Sequence, residues 1–114
     1  MDAARAELRN ILLDARSLIA RPDNNFDWSS WQDAEVALRE IDGLVAALER
    51  GRVPSRITMS VLFAPTGPIQ EVSLSSGWAE EFVELAARFD AAVESFYSRG
   101  PWWRRLLNQR QRRN

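Results

Sequence analysis

Apolar residues recur at steps of three and four over the first twenty positions. Leu8, Ile11, Leu12, Ala15, Leu18 and Ile19 share one side of a helix that this spacing predicts from Asp2 to Ala20. Pro22 helps to end it, and the stretch Arg21-Pro22-Asp23-Asn24-Asn25-Phe26-Asp27 is rich in turn formers. A second stripe of Trp31, Ala34, Leu38, Ile41, Val45 and Leu48, widened by Ala37 and Leu44, predicts another helix. Its expected start is Ser29 or Ser30, because Ser29 with Gln32 has capping-box spacing, and Gly51 is its expected stop. Gly43 inside this helix costs about 1 kcal/mol relative to Ala, so a close helix–helix approach is its expected reason.

Between Arg56 and Leu74 the period changes to two. Ile57, Met59, Val61 and Phe63 alternate with Thr58, Ser60 and Leu62, as in a strand buried on one face. Pro65-Thr66-Gly67-Pro68 reads as a tight turn. A register with Val72 opposite Val61 and Leu74 opposite Met59 then keeps the apolar residues of both strands together. Ser75 or Ser76 is expected to cap a third long helix with the stripe Trp78, Phe82, Leu85, Phe89, Val93 and Phe96, ended by Gly100-Pro101. Glu80, Glu81 and Glu84 stand in its first turns, where the helix dipole favours acids.

The pattern thus predicts an α+β fold: a three-helix bundle with a two-stranded antiparallel β-hairpin inserted between helices 2 and 3, in the order α-α-β-β-α. Residues 1–100 form one domain in this reading, and residues 101–114 form a basic tail or short C-terminal helix.

Charge divides the chain unevenly. Residues 99–114 carry six Arg and no acid, while the first 98 hold nine Arg against 16 Asp and Glu, so a body at −7 is joined to an end at +6. Such asymmetry points to a partner or to self-docking. If residues 102–110 are helical, Trp102, Trp103, Leu106 and Leu107 form one apolar patch flanked by Arg104 and Arg105. That patch suits a groove on a partner protein, a membrane interface, or the end of the chain's own bundle. Nucleic acid is disfavoured, because the acidic body repels phosphate.

The residues that are missing exclude much chemistry. The chain has no Cys, no His and no Lys. Disulfides, thiolate metal sites, the commonest general base, Schiff-base chemistry and a P-loop lysine are thereby removed. The lack of Lys with many Ala suggests GC-rich codon usage and a bacterial source. No apolar run approaches the roughly 20 residues needed to span a bilayer, and no secretory signal pattern is present, so a cytoplasmic location is expected.

Four weaker constellations remain. Asp23-Asn24-Asn25-Phe26-Asp27 resembles the start of a calcium loop, but Trp28 stands in place of its Gly and Ala34 in place of its bidentate Glu, so no metal is expected. Ser75, Ser76 and Gly77, read as a helix N-terminus, offer a candidate anion site. Trp28, Trp31 and Trp78 stand at expected helix starts and could line one apolar pocket, or simply begin core stripes. Glu71 with Glu81 or Glu84 is the only carboxylate pairing suggestive of glycoside cleavage, and solvated helix faces explain these residues equally well.

No catalytic residues and no cofactor are expected. The expected function is a small non-enzymatic protein-binding module or accessory subunit that acts through the acidic body, the tail, or both. It could form a homodimer by joining unpaired hairpin edges. Alternatives are an antitoxin or immunity-type protein that neutralises a basic partner, and membrane or nucleic-acid binding through the tail.

Overall fold

The computed structural model describes residues 1–98. Among them are five α-helices and no strand: α1 (Ala3–Ile19), α2 (Ala34–Glu49), α3 (Arg56–Leu62), α4 (Pro68–Ser76) and α5 (Ala79–Tyr97). The expected α+β fold is therefore corrected to an all-helical one. The segment expected to form the hairpin is two short helices, and the hairpin edge proposed for self-association does not exist among the described residues.

The central helix is α1, which packs against both α2 and α5. Its stripe works as its spacing predicts: Leu8, Ile11, Leu12, Ala15 and Ile19 are buried and Leu18 packs against them. Asp2 caps its N-terminus by accepting a hydrogen bond from the Arg5 backbone N–H at 2.8 Å. Two exposed ion-pair groups tie the three long helices together. Arg16 on α1 pairs with Asp42 on α2, and Arg88 on α5 reaches Glu7 and Asp14 on α1.

Helix α2 starts later than Ser29 or Ser30. The Ser29 hydroxyl is engaged instead with the Trp31 backbone N–H at 3.1 Å and the Pro68 carbonyl at 3.2 Å. Asp33 supplies the cap, accepting from the Val36 N–H at 3.0 Å. Gly51 ends the helix with φ of +79°, the left-handed conformation that favours glycine. Gly43 has a different position from that expected: it is exposed, and an added Cβ would meet nothing within 4 Å.

The hairpin is replaced by helices because the same residues satisfy a second period. On α3 and at its end, Met59, Leu62 and Phe63 fall at i, i+3 and i+4 and are buried; on α4, Ile69, Val72 and Ser73 do likewise. The hairpin register would instead have turned Leu62 and Ile69 to solvent. Helix signals also bracket α4, with Pro68 in its first turn and Gly77 as a left-handed cap at φ of +83°. The third stripe is as expected, since Trp78, Phe82, Leu85, Phe89, Val93 and Phe96 are all buried. The helix that carries it opens at Ala79, with Trp78 as its cap residue.

One loop residue ties the ends of three elements. The Asn24 side-chain amide donates to the Leu18 and Ile19 carbonyls at 2.7 and 2.9 Å, while its oxygen accepts from the Trp78 indole N–H at 2.8 Å. It thereby closes the C-terminus of α1, satisfies a buried indole, and fixes the chain where α4 passes into α5.

Candidate docking groove

Helix α5 is apolar around more of its circumference than one core stripe requires. Beyond the buried stripe it carries Val83, Ala86 and Ala87, of which Val83 is 65% exposed. These residues form one wall of a groove whose other wall is α3 with the turn after it, Ser60, Ala64 and Pro65. Phe63 and Phe89 lie at its base, stacked with ring centroids 4.2 Å apart and planes 15° apart. The space enclosed is about 760 Å³, within the range of built ligand sites. On the outer side of α3, Ile57 and Val61 are 75% and 54% exposed and extend the apolar surface.

Polar groups sit at the rim. Asp90 and Glu94 on α5 and Arg56 on α3 line the groove together with Gln70 from α4. Arg56 is already engaged: it pairs with Glu94 at 2.8 Å and lies 5.8 Å above the Tyr97 ring. Tyr97 in turn donates its hydroxyl proton to the Pro54 carbonyl at 2.6 Å, anchoring the approach to α3. Burial raises the Tyr97 pKa above the usual tyrosine value, the neighbouring Arg56 charge opposing that shift. Among the described residues no cation stands in ion-pair range of Asp90.

The chain matches no protein-family model, no curated protein and no solved structure.

The residues singled out from sequence are placed as follows. Trp102, Trp103, Arg104, Arg105, Leu106 and Leu107 lie outside the described residues. Ser75 and Ser76 lie in the last turn of α4 and Gly77 is its C-cap, a helix end that presents carbonyl groups rather than N–H groups. The Ser76 hydroxyl oxygen accepts from the Asn25 backbone N–H at 2.8 Å, so its place is structural. Trp31 and Trp78 enter the core while Trp28 is 73% exposed, so the three do not share a pocket. The Trp31 indole N–H donates to Glu40 at 2.7 Å.

Two side-chain oxygens of the calcium-like loop already accept hydrogen bonds. Asn24 is occupied as described, and the Asn25 side-chain oxygen accepts from the Asp27 N–H at 2.8 Å. Glu81 and Glu84 are exposed on α5 and Glu71 is half-buried on α4.

The groove residues Val83, Ala86, Ala87 and Asp90 were not among the sequence candidates. The available signal was the run from Phe82 to Val93, where only Glu84, Arg88 and Asp90 among twelve positions carry charge and Ala fills most of the flanks. Ser60, Ala64 and Gln70 gave no such signal, because a hairpin would have placed them elsewhere.

Proposed function

We propose that this chain is a small, non-enzymatic protein-binding module of the cytoplasm that seats an amphipathic helical segment between α3 and α5. The groove is the observation that carries this reading. It combines an aromatic base, small wall residues that admit a close backbone approach, and carboxylates at the rim. A helix laid into such a groove contributes apolar anchors at i, i+3, i+4 and i+7, while basic flanks match Asp90 and the acidic body. A non-enzymatic role is supported by the residue inventory, which lacks His, Cys and Lys and leaves Glu81 and Glu84 solvated.

Selection from a displayed library of helical peptides against the full chain tests the reading. Peptides with an apolar ridge and Arg or Lys flanks should emerge. Val83→Arg should weaken them at least about tenfold, since it removes an apolar contact and repels the basic flanks. Val83 is 65% exposed, so the fold should survive, with a stability change within about 0.5 kcal/mol by thermal melting. Peptides that bind wild type and Val83→Arg equally would sink the proposal.

A further inference from the structure

We propose that the chain's own C-terminal segment, Trp102 to Leu107, docks in this groove in cis. This rests on the docking reading above and names the groove's first occupant.

The point where the chain leaves the described structure carries the argument. Helix α5 ends at Tyr97, about one turn beyond Val93 and Glu94 at the near end of the groove. From Glu94 back to Phe82 the groove follows thirteen residues of α5, about 20 Å at 1.5 Å per residue. Gly100-Pro101 is a pair that ends helices and permits reversal of the chain. Nine residues from Trp102 to Arg110, in helical form, cover about 13 Å and so fit within that length.

The chemistry fits as well. Trp102 with Leu106, and Trp103 with Leu107, are spaced i and i+4, so a helix through them would carry an apolar ridge suited to walls of Val83, Ala86 and Ala87. Two indoles are a large apolar surface, well matched to a groove of about 760 Å³ with stacked aromatic rings at its base. Residues 99–114 carry six Arg and no acid, against a body at −7. Asp90 at the rim has no cation in ion-pair range among the described residues, whereas the charge of Arg56 is offset by Glu94.

Amide spectra of the full chain and of Trp102→Ser/Trp103→Ser, recorded by ¹⁵N NMR at two concentrations, test the proposal. The expected result is concentration-independent shifts at Ser60, Ala64, Val83, Ala87 and Asp90. Shifts confined to the last turn of α5 would overturn it. Groove shifts that fade on dilution would also overturn it, because the occupant would then be the tail of a second copy.

Because the chain lacks Cys, a second measurement is clean: Val83→Cys/Leu106→Cys should close an intramolecular disulfide on oxidation and run as a monomer. The control Leu13→Cys/Leu106→Cys, with its first Cys on α1 outside the groove, should stay open. A disulfide-linked dimer, or equal closure of both pairs, would count against docking in cis. The two proposals fail separately. Selected peptides without groove shifts would remove the tail and keep the module, and groove shifts with no peptides selected even against Trp102→Ser/Trp103→Ser would remove the module and keep the tail.

Discussion

Replacing Asn24 with Ala removes one side chain that makes three hydrogen bonds, and the cost follows from where each partner is left. The Trp78 indole N–H loses its acceptor inside the core, in a residue only 1% exposed. An unpaired buried donor costs about 1–3 kcal/mol. The Leu18 and Ile19 carbonyls lose a donor too, but they lie at the end of α1 beside exposed Ala20, where water can replace it. Their part is therefore the smaller, about 1 kcal/mol together.

The sum is about 2–4 kcal/mol, a drop in Tm of about 10–20 °C for a domain of this size. Urea unfolding followed by far-ultraviolet circular dichroism reads the change without relying on tryptophan emission. The decisive comparison is the same substitution in a Trp78→Phe background, which has no indole N–H to orphan. There Asn24→Ala should cost only the carbonyl part, leaving a coupling of about 1–3 kcal/mol between the two positions. Equal costs in both backgrounds, within about 0.4 kcal/mol, would refute the assignment of Asn24 as the partner that makes a buried indole tolerable.

Gly67→Ala should destabilise by about 1–3 kcal/mol and weaken any groove ligand, because its Cβ would fall on the Val61 carbonyl oxygen and within 3.1 and 3.2 Å of the Ala64 and Leu62 carbonyls. An unchanged urea midpoint would show that the turn between α3 and α4 yields freely. Gly43→Ala should do the opposite, raising stability by up to about 1 kcal/mol, since that glycine is exposed, helical and free of neighbours. The Arg16 side chain, hydrogen-bonded to Asp42, holds the Asp42 pKa below the usual aspartate value. The Asp42 contribution is therefore complete above the unfolded pKa near about 3.9 and lost as pH falls through the folded one. Melting curves of wild type and Asp42→Asn between pH 6 and pH 2 should differ most at the upper end and converge at the lower. A gap that persists at pH 2 would contradict the pairing.

The long helices were legible because long amphipathic patterns average over many residues. The stripe of α1 spans about three turns and that of α5 about five, long enough that no competing period fits them. Their starts were harder to read. Ser29, Ser75 and Ser76 are all good caps in isolation, and each found another use: Ser29 in a turn with Trp31, Ser75 and Ser76 at the end of α4. The region from Arg56 to Leu74 was misassigned for a specific reason. Ile57, Thr58 and Val61 are β-branched, and a run of seven residues is too short for periodicity to separate strand from helix. Pro68 and Gly77, nine positions apart, bracket a helix in the sequence itself and were the stronger evidence.

That misassigned region is also where the groove lies, and the connection is physical. A seven-residue helix with three β-branched residues, and with no side-chain hydrogen bond capping it, has little stability of its own. Packing through Met59 and Leu62, with Phe63 stacked on Phe89, holds α3 in place. Apolar residues spaced by two cannot all share one face of a helix, so burying Met59 turns Ile57 and Val61 outward. The same mismatch leaves α3 as a short wall anchored by Arg56–Glu94 and by the Tyr97 hydroxyl on Pro54, rather than as a fully packed layer. Local preference and fold disagree over these few residues, and the disagreement supplies both the exposed apolar surface and the opening beside α5. Burial of that surface by a helix would resolve the conflict, which gives a docking role for the groove a physical basis in the sequence of its wall.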